Sequence, residues 1–334
     1  MRMKRISLIL LGTAIGIGGS VALREILKKP PAPLTMPSDP AKKAKRDEEE
    51  RRKIAWKIVS PRIEIAQEEA LKAIDNRSQE VRDFFAEREK RIPAYAERVL
   101  SVRSKWELAK SNIPGADKDA HTRFLKEEFS KIVFSEAEHG QAVSGAADNY
   151  VRDIQAIENA LLVKIRADLN DLPACAGMLP ELNTDALFRE QFVKVVGGLS
   201  DRAGIDAKVD VGRLVGSEIA AAVTIRVGIA VATRLGVSSA ILGTGTVAAP
   251  ETLGVSIVAG IIVDQIAGWA IGWFYDPEGE IGKKLAADLN GLSTLIISGD
   301  EKTRGLKQEL GALADRRKLI RNAALQEMIL QPSS

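Results

Sequence analysis

Residues 219–275 read IAAAVTIRVGIAVATRLGVSSAILGTGTVAAPETLGVSIVAGIIVDQIAGWAIGWFY, two Gly/Ala/Val/Ile-rich runs that meet at Ala248-Ala249-Pro250-Glu251. Each run holds a charge at a similar distance from that turn: Arg234 lies sixteen residues before Pro250 and Asp264 fourteen after it. Two helices folded back on each other would bring Arg234 and Asp264 to the same depth. The pattern therefore predicts an apolar helical hairpin with one internal ion pair. Gly236, Gly243, Gly254, Gly260, Gly268 and Gly272 would let its arms pack backbone to backbone.

A hairpin of this kind needs either a protein shell or a lipid bilayer around it. Leu235 to Ala249 spans only about 22 Å as a helix, too short to cross a bilayer alone, whereas Leu253 to Tyr275 is long enough and carries only Asp264 as a charge. Trp269, Trp273, Phe274 and Tyr275 stand at its far end, where an interfacial aromatic belt would lie. Over the hairpin alone the chain resembles in outline the hydrophobic hairpin of pore-forming bacteriocins, without a motif that assigns it to that family.

Outward from the hairpin, the N-terminus gives an address. Met1 to Arg5 is basic, and Ile6 to Leu23 is an uncharged run followed by Arg24, Lys28 and Lys29. At roughly 27 Å as a helix it reads as a retained signal-anchor, with cleavage after Ser20-Val21-Ala22 as the alternative. Pro30 to Pro40 is an extended proline-rich linker. Between Ile54 and Asn112 apolar residues recur at helical spacing (Ile63, Ala66, Ala70, Ile74, Val81, Phe84, Tyr95, Val99, Val102, Trp106), and Pro61 and Pro93 are expected to kink or end helices. Further helices are expected over Asp119–Asn170 with a break near Gly140 and Gly145, from Thr184 or Asp185 to Gly197-Gly198, and along stripes at Leu285–Ile296 and Leu306–Leu325.

The expected fold is thus mainly α: a membrane anchor (1–29), a linker (30–40), a charged helical or coiled-coil region (41–200), the apolar hairpin (201–277) and C-terminal amphipathic helices (278–334). Aromatics make up only 4% of the chain and hydrophobic residues 45%, which suits a helical core. The net charge of +3 sets nucleic acid aside as a partner. A lipid bilayer, through residues 6–23 and 219–275, is the expected partner, and a small-xxx-small face at Gly12–Gly16 makes a homo-oligomer an open expectation. The expected location is membrane-anchored with the body on the extracytoplasmic, periplasmic side.

Chemistry is sparse. Gly243, Gly245 and Ala248 match a G-x-G-x-x-A turn with Asp264 placed as a ribose-binding acid, but Pro250 and Gly254 fall inside the helix that such a turn requires. Glu136 and His139 make half of a Glu-x-x-His pair, and His121 supplies no second half. Cys175 is the single cysteine and reads as a buried thiol. No catalytic residue, cofactor or metal site is nominated. The function expected is a non-catalytic membrane-anchored assembly, scaffold or pore-like role; the alternatives are a nucleotide-binding enzyme using Gly243, Gly245 and Asp264, and a soluble-core periplasmic coiled-coil tether.

Overall fold

The computed structural model describes residues 40–111, 113, 117, 119–173, 175, 184–203, 216–235 and 281–331. By its contacts the chain divides into two units, Met1–Arg46 and Asp47–Ser334. Of the first, residues 40–46 are described: helical, exposed and rich in lysine. The described residues of the second are helical throughout, joined by turns.

The spine is α1 (Pro40–Glu89, 50 residues). Its buried positions Ala55, Val59, Ile63, Ala66, Ala70, Ile74, Ser78, Val81 and Phe85 recur every three or four residues, the period that puts side chains on one helical face. The helix runs unbroken through Pro61, correcting the expectation of a break there. The physical reason is placement: Pro61 is exposed, so the Lys57 carbonyl that loses its amide partner lies on the solvent side. Buried Val59 and Ile63 flank it, and Arg62 is tied to Asp168 at 2.8 Å. Pro93, by contrast, stands at the start of α2 (Ile92–Val99), where its missing N–H costs nothing.

After α3 (Val102–Ser111) and α4 (Ala120–Ile132) comes α5 (Glu136–Asp171), a 36-residue helix that passes through Gly140 and Gly145 without the expected break. The break falls instead at residues 133–135, because Ser135 builds a capping box. Its hydroxyl accepts from the Glu138 amide at 3.3 Å, while its own amide donates to Glu138 Oε2 at 2.8 Å. α6 (Asp185–Ala203) opens at Thr184, whose hydroxyl accepts from the Leu187 amide, and extends past Gly197 and Gly198. α7 (Gly216–Arg234), α8 (Ile281–Ser298) and α9 (Leu306–Leu330) complete the described elements.

Register follows from the inter-helix bonds. Arg62 meets Asp168, Arg77 meets Asp153 and Arg88 meets Glu138, so α5 runs antiparallel to α1. Glu64 meets Lys318, Gln67 meets Asp315 and Asp75 meets Lys307, so α9 does too. At the end of α9 the Arg52 guanidinium donates to the carbonyls of Ile329 and Gln331, both at 2.9 Å, satisfying acceptors that a helix C-terminus leaves open.

The membrane-anchored reading is corrected by this architecture. No helix among the described residues is long and apolar enough to cross a membrane. α7, the expected root of the hairpin's first arm, packs Ile219, Ala220, Val223, Val227 and Val231 into a protein core shared with α1, α5, α8 and α9. The described residues form an all-α helical bundle and support neither the bilayer partner nor the membrane-anchored, extracytoplasmic location expected from the sequence. The anchor segment 6–23, the linker before Pro40 and the hairpin from Gly236 to Tyr275 lie outside the described residues.

Two stripe positions are also corrected. Val102 and Trp106 are 84% and 60% exposed. α3 turns Ser104 inward instead, where its hydroxyl sits 3.1 Å from His121 Nε2 of α4.

Candidate functional site

The core is divided. Along α1, Ala66 and the buried apolar residues before it belong to one apolar cluster, and Ala70 and the buried apolar residues after it to another. On α5 the change falls between Ile154 and Leu161, and on α9 between Ala314 and Ala324. In those three gaps stand Gln67, Glu158, and Arg317 with Arg321, all buried.

These side chains bond to one another. Arg317 donates from Nε to Glu158 Oε1 at 2.9 Å and from Nη2 to Glu158 Oε2 at 2.5 Å, a two-pronged pairing that holds both carboxylate oxygens. Arg321 Nη1 lies 3.6 Å from Glu158 Oε1, and its Nη2 donates to Gln67 Oε1 at 2.9 Å. Gln67 passes the connection outward by donating to Asp315 at 3.1 Å. Arg321 is fully enclosed, and its Nε and Nη1 have no hydrogen-bond acceptor among the described residues. Burial is the largest influence on its guanidinium and weakens its hold on the proton, Glu158 opposes that, and Arg317 adds to it.

The chemistry open to such a layer is structural. Arginine does not exchange protons near neutral pH, and the one carboxylate is occupied on both oxygens, so general acid–base work has no free participant. What a buried ionic layer does well is fix register: sliding α9 by one turn against α1 and α5 would strand charges in an apolar cluster at a cost of several kcal/mol each.

A second polar cluster roots α7. Arg226 and Arg304 both approach Glu309, each at 3.3 Å, and Arg234 Nε donates to Asp300 at 2.7 Å. Hydrogen bonds from Arg234 and then from the Lys302 amide hold the Asp300 carboxyl down to about 2. The turn carrying Asp300 is tight. Gly299 has φ +67, and a Cβ there would meet the Thr303 carbonyl oxygen at 2.1 Å.

Of the residues the sequence singled out, Arg234 is placed on this surface cluster, facing Asp300. Asp264, Gly236, Gly243, Gly254, Gly260, Gly268, Gly272, Trp269, Trp273, Phe274 and Tyr275 lie outside the described residues, as does Gly245 of the nucleotide-turn reading. Glu136 is exposed while His139 is buried, so the half carboxylate–histidine pair does not assemble. Among the described residues no group of three His, Cys, Asp or Glu is arranged to hold a metal. Cys175 is buried, and burial pushes its thiol up.

The ionic layer went unread in the sequence although its signal was present. Leu313, Arg317, Arg321 and Leu325 are spaced by four, as are Ile154 and Glu158, so the charges sit in core register.

Fold and layer together define an all-α helical bundle with a buried ionic belt. Compared with protein-family models, curated proteins and solved structures, the chain matches none.

Proposed function

We propose that the chain works as a non-catalytic helical tether, a stiff module that holds its attachments at a set separation. The observation that carries this reading is the clamping of α1 on two sides. α5 grips it at Arg62, Arg77 and Arg88, and α9 grips it at Arg52, Glu64, Gln67 and Asp75. From Arg52 to Glu89 that is roughly 55 Å of helix at 1.5 Å per residue, supported along its whole length. A lone helix bends or frays; one locked by bonds at both ends and through a buried layer in the middle does not. This reading replaces the membrane-anchored assembly and pore-like role, which needs a spanning helix that the described residues do not supply.

The test is a distance. With Cys175 replaced by Ala, spin labels at the exposed positions Lys57 and Ala86 bracket Pro61's far side and the ionic layer. Pulsed electron resonance should give one narrow distance near roughly 44 Å. A broad or shorter distribution means that α1 hinges, and overturns the tether reading.

A further inference from the structure

His139 sits in the first turns of α5, 4% exposed, with neither ring nitrogen hydrogen-bonded among the described residues. Its ring stacks on Phe134 at 5.9 Å and meets the edge of Phe85 at 6.0 Å. These belong to a larger aromatic cluster, in which Phe134 also touches Phe84 at 5.7 Å and Phe129 at 5.1 Å. The cluster joins the end of α1, the end of α4, the 133–135 linker and the start of α5.

We propose that His139 is an acid-triggered latch: protonating its imidazole releases this aromatic corner and exposes Phe84, Phe85, Phe129 and Phe134.

The surroundings offer the proton no welcome. α1 contributes Arg88, whose guanidinium lies 5.0 Å over the Phe84 ring, with Arg91 just beyond. α4 contributes Phe129 and, further along, Glu128, which Arg98 holds at 2.8 Å and Lys131 also approaches. The linker contributes Phe134 and the Ser135 hydroxyl. On α5 itself Glu136 is exposed, and Glu138 is fully engaged, Oε1 by Arg88 at 2.9 Å and Oε2 by the Ser135 amide and hydroxyl. The N-terminal end of α5 adds its own positive field. Among the described residues no carboxylate is left to balance an imidazolium, so the ring charges by leaving. Burial accordingly holds the imidazole down to about 4 in the closed state.

The sign follows from proton linkage. The open state binds a proton near the ordinary value of about 6.5 and the closed state only near 4, so acidification favours opening throughout that interval. Going from pH 7 to pH 5 should raise the open population roughly twentyfold. Most carboxylates remain ionised down to pH 5, so the effect separates from general acid unfolding.

The experiment is amide hydrogen exchange on the full chain at pH 7 and pH 5, corrected for intrinsic exchange, following peptides that cover residues 84–91 and 133–142. Wild type should open about twentyfold more at pH 5, His139→Phe should lose that dependence, and His121→Asn should keep it. Equal acid opening in His139→Phe overturns the latch. Should that variant fail to fold, the wild-type imidazole decides: with only two histidines in the chain, its nitrogen resonance is assignable through His121→Asn. Titration in step with corner opening supports the latch, and titration near 6.5 with the corner closed sinks it.

Discussion

Glu158→Gln removes the one negative charge from a buried layer that holds two arginines. The side chains of Glu158, Arg317 and Arg321 are 8%, 4% and 0% exposed, so the guanidiniums cannot turn to water without breaking the surrounding packing. Removing one partner of a buried ion pair costs about 3–5 kcal/mol, because the loss includes the uncompensated charge left behind. For a bundle of this size that is a fall in Tm of roughly 10 °C. Thermal unfolding followed by helical circular dichroism measures it, and urea titration checks it against the midpoint. The companion variant separates charge from packing. Glu158→Leu combined with Arg317→Met and Arg321→Met keeps the volume and removes all three charges, and it should be neutral or more stable by about 1–4 kcal/mol. If Glu158→Gln melts as wild type does, the two arginines do not depend on the Glu158 charge, and if the triple variant falls as far as the single one, the loss comes from packing and not from a stranded charge.

Pro61→Ala restores a backbone donor inside α1 at an exposed position and should stabilise the bundle by about 1–3 kcal/mol, read by urea titration; destabilisation would mean that the proline is needed for the helix's path. Gly299→Ala should cost more than about 1 kcal/mol, because both the positive φ and the Thr303 carbonyl oppose a Cβ; an unchanged melting curve contradicts the turn described. Asp300 has a depressed carboxyl, so its contribution is present above the ordinary carboxylate range and is lost as pH falls towards 2. Asp300→Asn should therefore lower stability at neutral pH and flatten the acid limb between about pH 4 and 2, and an unaltered acid titration would refute the pairing with Arg234.

The helical stripes were legible because burial on one face leaves a period in the sequence. Ile63, Ala66, Ala70 and Ile74 on α1, and Leu285, Leu289, Leu292 and Ile296 on α8, are buried as their spacing implies. Boundaries were less legible, since they turn on local contests that composition does not decide. Pro61 suggested an end and met a solvent-facing carbonyl instead. Gly140 and Gly145 suggested a break, but the Ser135 capping box had already supplied one. The apolar character of α7 left a protein shell and a bilayer both open, because a residue's hydropathy does not say what covers it. Its valines face a protein core, while Arg226 and Arg234 reach acids on the α8–α9 turn and α9. The ionic layer was missed for the opposite reason: Arg317, Arg321, Glu158 and Gln67 resemble ordinary surface residues until three helices bring them together. A polar residue breaking an otherwise apolar period on each of three helices was the available clue.

The bundle depends on α9 lying antiparallel against α1 in one register. A zero-length carbodiimide joins a lysine to a carboxylate in direct contact, and two such pairs span this interface, Lys307 with Asp75 and Lys318 with Glu64, each at 2.6 Å. Mass spectrometry of the cross-linked protein should find those two isopeptide bonds. Bonds joining Lys307 to Glu64 and Lys318 to Asp75 instead would place α9 the other way round and contradict the bundle described.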